Sequence, residues 1–149
     1  MRRFLILIGL WSSLLLWNSL PAWAQTSYPL LLAGEEQASW NFTLERGSMT
    51  MTGICITRQT ERGLVGTVIN EFGLHFFDFT CQDNRVKVSN VFPAMNKWYI
   101  RRVLRSDLRL LSADKALTAR RRNLQVSLPD SLSLLDKKFG ITYRFERMK

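Results

Sequence analysis

Polar and apolar residues alternate between residues 38 and 91, and the alternation predicts strands. Residues 38–46 (ASWNFTLER) put Trp40, Phe42 and Leu44 on one face. Gly47-Ser48 makes a turn into residues 49–58 (MTMTGICITR), a run rich in Thr and Ile. Glu61-Arg62-Gly63 makes the next turn, into residues 64–72 (LVGTVINEF). Gly73 then interrupts the pattern, which marks a bend or bulge. Residues 74–81 (LHFFDFTC), read as a regular strand, set His75, Phe77, Phe79 and Cys81 opposite Leu74, Phe76, Asp78 and Thr80. Asp83-Asn84 turns the chain into residues 85–91 (RVKVSNV). Turns at such short, even intervals describe an antiparallel meander.

The period then changes. Asn96 is a fitting N-cap, and residues 97–111 read as a helix. Ile100, Leu104, Leu108 and Leu111 form one apolar stripe. Arg101, Arg102, Arg105 and Arg109 fall together on another flank. The 101/105 and 105/109 pairs are like charges at i,i+4, which cost a few tenths of a kcal/mol each. After Asp114 the signal weakens. Residues 120–128 end like a strand, Pro129-Asp130 makes a turn, residues 131–135 are short and apolar, and residues 140–145 (GITYRF) read as a last strand. The expected class is α+β: a curved antiparallel sheet with one main helix on its concave face.

The beginning of the chain changes the setting. Arg2 and Arg3 precede an apolar stretch from Phe4 to Leu16, and Ala22-x-Ala24 matches the small-residue pattern of a leader cleavage site. Residues 1–24 are therefore expected to be a signal peptide, cut before Gln25, and residues 25–149 a single exported domain, periplasmic and monomeric. The apolar stretch is short for a membrane span. No cysteine lies near the cut, so no lipid anchor is expected.

Charge narrows the choice of partner. The 21 Lys and Arg outweigh the 12 Asp and Glu, for a formal net charge of +9. Arg2 and Arg3 leave with the leader, so the exported part keeps +7. Residues 97–122 hold nine basic residues and two acids, Asp107 and Asp114, and account for that whole excess. A basic segment draws anionic partners. In an exported protein these are anionic lipid, lipopolysaccharide or an acidic protein rather than nucleic acid, unless the segment only keeps the protein soluble.

Catalytic chemistry finds little support. His75 is the only histidine, with Glu71 and Asp78 nearby, and no Ser, Cys or second His joins it at a recognisable spacing. Two cysteines, Cys55 and Cys81, do not make a metal site. In a meander the intervening strand separates them by two strand spacings, too far for a disulfide, so both are expected to be reduced. Asn41-Phe42-Thr43 matches the glycosylation acceptor pattern, a short match that matters only in a eukaryotic secretory route. No enzyme, cofactor or metal is expected. Large side chains are the stronger signal: Phe72, Phe76, Phe77, Phe79, Phe92, Trp98 and Tyr99 cluster, and a curved sheet could leave part of them around an apolar cavity or pack them as core.

The stretch Asn70-Glu71-Phe72-Gly73-Leu74-His75-Phe76-Phe77-Asp78-Phe79, with Phe92-Pro93-Ala94-Met95-Asn96-Lys97 and Leu104-Arg105-Ser106-Asp107-Leu108, resembles exported proteins of the lipoprotein-carrier (LolA/LolB-like) superfamily. The resemblance covers roughly residues 50–112. It implies an unclosed half-barrel, capped by helix, that shelters an acyl chain. The resulting expectation is a non-enzymatic carrier or binding protein for lipids or lipidated proteins. Phe72, Phe77, Phe79 and Trp98 would provide apolar contact, and Arg101, Arg102, Arg105 and Arg109 would meet anionic head groups. The alternative is a structural or interaction protein of the envelope with a basic docking face.

Overall fold

The computed structural model describes residues 28–112, 122–127 and 129–149. The expected leader, the expected cut before Gln25 and residues 113–121 of the basic segment lie outside the described residues. Eight antiparallel strands form one sheet: β1 (Gln37–Arg46), β2 (Met49–Thr60), β3 (Gly63–Ile69), β4 (His75–Gln82), β5 (Arg85–Ser89), β6 (Arg122–Ser127), β7 (Ser131–Asp136) and β8 (Ile141–Arg147). One helix, α1 (Trp98–Ser112), separates β5 from β6. The spatial order is β5-β4-β3-β2-β1-β8-β7-β6. The architecture is α+β, a half-barrel with one helix.

Alternation places the inward side chains of several strands. In β1, Trp40, Phe42 and Leu44 face inward and are buried, as the pattern predicts. Val86 and Val88 in β5, Leu132 and Leu134 in β7, and Tyr143 and Phe145 in β8 do the same. Asp83 and Asn84 both take positive φ, the conformation that a two-residue hairpin turn requires of its central residues. The last strand does not stay local. β8 returns to pair with β1, so that Phe42 lies opposite Phe145 and their ring centroids sit 5.3 Å apart.

The core is aromatic. Trp40, Phe42, Phe77, Phe79, Tyr143 and Phe145 are its largest fully buried side chains. Phe42 meets Phe77 edge-on at 6.4 Å. Leu30 and Leu31 close the core from a short turn before β1, which the alternation does not announce. The Leu30 carbonyl accepts from the Trp40 indole at 3.0 Å and from the Thr57 hydroxyl at 2.7 Å, so two buried donors are satisfied by one oxygen.

An open sheet has two unpaired edges, here β5 and β6. α1 ties to both. The Arg101 guanidinium donates to the Val88 carbonyl of β5 at 3.1 Å. The Asp107 carboxylate accepts from the Arg122 Nε of β6 at 2.6 Å. Between these ties Leu104, Leu108 and Leu111 are buried, with Ile100 partly so, as the stripe predicts. The start of the helix differs from the reading of Asn96 as N-cap. Lys97 accepts the first helical hydrogen bond, from the Arg101 amide at 3.0 Å. Asn96 instead closes a short 3-10 turn, Pro93–Met95, that precedes the helix.

The cysteines are both buried and not bonded to each other. Cys55 lies opposite Val68 on β3, while Cys81 lies opposite Leu64 four positions away. Two strand spacings and that offset put their Cα atoms roughly 16 Å apart, beyond the ~7 Å limit of a disulfide. Burial also pushes the Cys55 thiol far above its ordinary value. Thiol labelling after denaturation without reductant is expected to count two per monomer. A count of zero would require another strand order.

Candidate functional site

The interior and the surface divide the expected site residues. Phe77 and Phe79 are 0% exposed and belong to the packed core. The Phe79 ring lies over Gly66, directly across the β3–β4 ladder, where an added Cβ would run into the ring. Phe72 and Trp98 are 89% and 74% exposed. The structure therefore does not gather the four aromatics around one cavity. The alternation in β4 is not strict, because the register slips between Val68 and Ile69. Phe76 is the extra residue, and Phe76 and Phe77 are both buried in succession.

That bulge has a second effect. A regular strand would set His75 and Asp78 on opposite faces, but the extra residue brings them to the same one. His75 Nε2 lies 2.8 Å from Asp78 Oδ1, and Nδ1 lies 3.2 Å from the Asn90 carbonyl. Asp78 also accepts from the Thr67 hydroxyl at 2.8 Å and from the Asn90 amide at 2.6 Å. Burial works to raise its pKa, but the Asn90, Thr67 and His75 donors outweigh burial and hold the carboxyl below its ordinary value. Both ring nitrogens of His75 therefore lie within hydrogen-bonding distance of an oxygen. The cluster works as a brace. It ties β4 to the connection leaving β5, where Asn90 adopts φ 50°.

The brace fixes two exposed segments at one end of the sheet. In the first, the Asn70 side chain accepts from the Phe72 amide at 3.0 Å and the Leu74 amide at 2.6 Å, with Gly73 at φ 79°. This turn holds Phe72 outward. The second leads from Phe92, whose amide donates to the Phe76 carbonyl at 2.7 Å, to the start of α1. There Trp98 and Tyr99 stand exposed, ring to ring at 6.0 Å.

Trp98 continues into a charged stripe. Arg102, Arg105 and Arg109 follow it at spacings of four, three and four, so all four side chains share one helix face, and all are exposed. Among the described residues none of these three arginines enters an ion pair. Two acids of the described residues are taken by other arginines. Glu35 is held by Arg147 at 2.6 Å, and Glu45 by Arg144 at 3.3 Å. Arg101 departs from the group. It is half-buried and bonds the Val88 carbonyl, so it holds the helix down rather than joining the outer stripe.

A further cluster lies under α1. Asp107, on the buried side of the helix, accepts from Arg122 Nε at 2.6 Å and from the Tyr143 hydroxyl at 2.8 Å. Asp136, opposite Arg122 on the β6–β7 ladder, accepts from the Lys138 and Phe139 amides through Oδ1. Among the described residues no group of three or more His, Cys, Asp or Glu side chains is placed to hold a metal ion, and no helix is long and apolar enough to cross a membrane. No protein-family model matches the chain, and a search of curated proteins finds no match.

Proposed function

We propose that this is an exported, non-enzymatic lipid-binding protein of the cell envelope, which meets anionic head groups through the outer face of α1. One observation carries the reading: Arg102, Arg105 and Arg109 form an exposed stripe beside Trp98, with no acid answering them among the described residues. Unanswered like charges at 105/109 repel, and an anionic surface relieves that repulsion. Trp is at home at the boundary between water and apolar chains, because its ring is apolar and its N–H is polar. Phe77 and Phe79 serve the core, so apolar contact with a lipid or lipidated protein falls to Phe72 and Trp98. In this reading α1 lies on the concave side of the sheet with its leucines inward and its arginines out, and the resemblance to lipoprotein carriers points to the same ligand class.

Vesicle binding tests it. Each basic residue near an anionic membrane contributes about 1 kcal/mol. Replacing Arg102 and Arg105 together with Gln is expected to weaken binding to phosphatidylglycerol vesicles by about 30-fold at low salt. The salt dependence should flatten, because screening acts on the interaction removed. The melting temperature should hold or rise slightly. Undiminished binding of the double variant would overturn the reading and favour a protein-docking face.

A further inference from the structure

Two carboxylates and one guanidinium are enclosed beneath the helix. Asp107 and Asp136 are both 0% exposed. Arg122 stands between them, with Nε 2.6 Å from Asp107 Oδ1 and its terminal nitrogen 3.4 Å from Asp136 Oδ2. Every other carboxylate oxygen of the pair has a donor: Asp107 Oδ2 takes the Tyr143 hydroxyl, and Asp136 Oδ1 takes two backbone amides. Among the described residues Asp136 Oδ2 has none at hydrogen-bonding geometry, although it is buried. A buried anionic oxygen without a donor is costly. Among the described residues, these two buried negative charges face a single positive charge, that of Arg122. A proton on the pair removes both faults, since it neutralises the surplus charge and gives the pair a donor of its own.

We propose that Asp107 and Asp136 share one proton beside Arg122, and that this proton locks α1 to the edge strand β6. Loss of the proton to solvent leaves a net negative charge under the helix and loosens the tie. Among the described residues the groups facing the pair are Arg122 from β6, Tyr143 from β8, and the Lys138 and Phe139 amides from the turn after β7. On the other side of α1, Arg101 is committed to Val88 of β5 and does not answer the pair. The titration has a direction. Burial, the largest influence, and the neighbouring Asp136 raise Asp107 to about 6, against the pull of Arg122 and Tyr143. A carboxyl raised in the folded state favours folding when protonated. Its contribution is complete below about pH 4 and is lost as pH rises through about 6. The device stands on this geometry alone and is independent of the lipid reading.

Asp136→Asn is the deciding variant. Its side-chain oxygen keeps the two amides, and its NH2 supplies a permanent donor where the shared proton would be. The wild-type melting temperature is expected to fall by about 5 °C between pH 5 and pH 7.5, and amide exchange in α1, corrected for intrinsic rates, to speed up more than exchange in β1 and β2. In Asp136→Asn both trends should disappear. A pH profile unchanged by the substitution, or a flat wild-type profile, would overturn the proposal. Should the variant fail to fold, carbon-detected titration of the wild-type carboxyls decides. One buried Asp titrating near pH 6 supports the shared proton, and none between pH 5 and pH 7.5 refutes it.

Discussion

Replacing Arg122 with Met is expected to lower stability by about 3–5 kcal/mol at pH 7, because it leaves two enclosed carboxylates without their cation. The guanidinium is mostly covered, and it reaches Asp107 and Asp136, both fully buried. Met fills much the same volume, so the loss reports charge rather than a hole. Part of it should return at pH 5, where protonation relieves the carboxylates. Arg144→Met provides the contrast. Its partner Glu45 is exposed and so is Arg144, so about 1 kcal/mol or less is expected. Urea unfolding of the two variants at both pH values makes the comparison. A loss for Arg122→Met no larger than for Arg144→Met would show that the cluster does not hold the helix.

Phe79→Ala is expected to cost a similar 3–5 kcal/mol, the usual range for a buried Phe truncated in a packed core. The ring is enclosed and lies on Gly66 across the strand pair. Gly66→Ala should be destabilising by itself, because the new methyl runs into that ring. Combined with Phe79→Ala, the same methyl enters vacated space, so the double variant should be more stable than the sum of the two losses predicts. Denaturant midpoints for the four proteins of the cycle measure this. Additive losses would mean that the ring does not rest on the glycine, as would a mild Phe79→Ala, which a residue facing an open cavity would show.

Elements with a strong period are legible in the chain itself. Turn chemistry at Asp83-Asn84 and alternation through Trp40, Phe42 and Leu44 announce the meander, and the Leu104, Leu108, Leu111 spacing announces the inward face of α1. The stripe of Arg102, Arg105 and Arg109 is legible for the same reason. Arg101 is not separable from it by spacing, because one residue of helical rotation decides between the outer face and the Val88 carbonyl. The His75–Asp78 contact depends on a bulge, and Gly73 marks an irregularity there without saying which residue becomes the extra one. The Asp107–Arg122–Asp136–Tyr143 cluster gathers side chains from four elements, and no local spacing encodes a meeting of that kind. Phe77 and Phe79 fit a cavity wall and a packed core equally well in sequence, since both uses demand an apolar inward face.

The pairing of β1 with β8 has a consequence for how the chain assembles. Strands β1 to β5 join through short hairpins, and so do β6 to β8. Among the described residues one ladder, Trp40–Arg46 with Ile141–Arg147, sews the two sets together. Its partners stand at opposite ends of the chain, so closing it carries the largest loop entropy of any step in the sheet. Each set can form early and alone, but in the first the long strand β1 then waits with the backbone N–H and C=O groups of one edge unpaired until residues 141–147 arrive. A chain emerging N-terminus first is most exposed to aggregation during that interval, and any truncation that removes residues 141–147 makes the interval permanent.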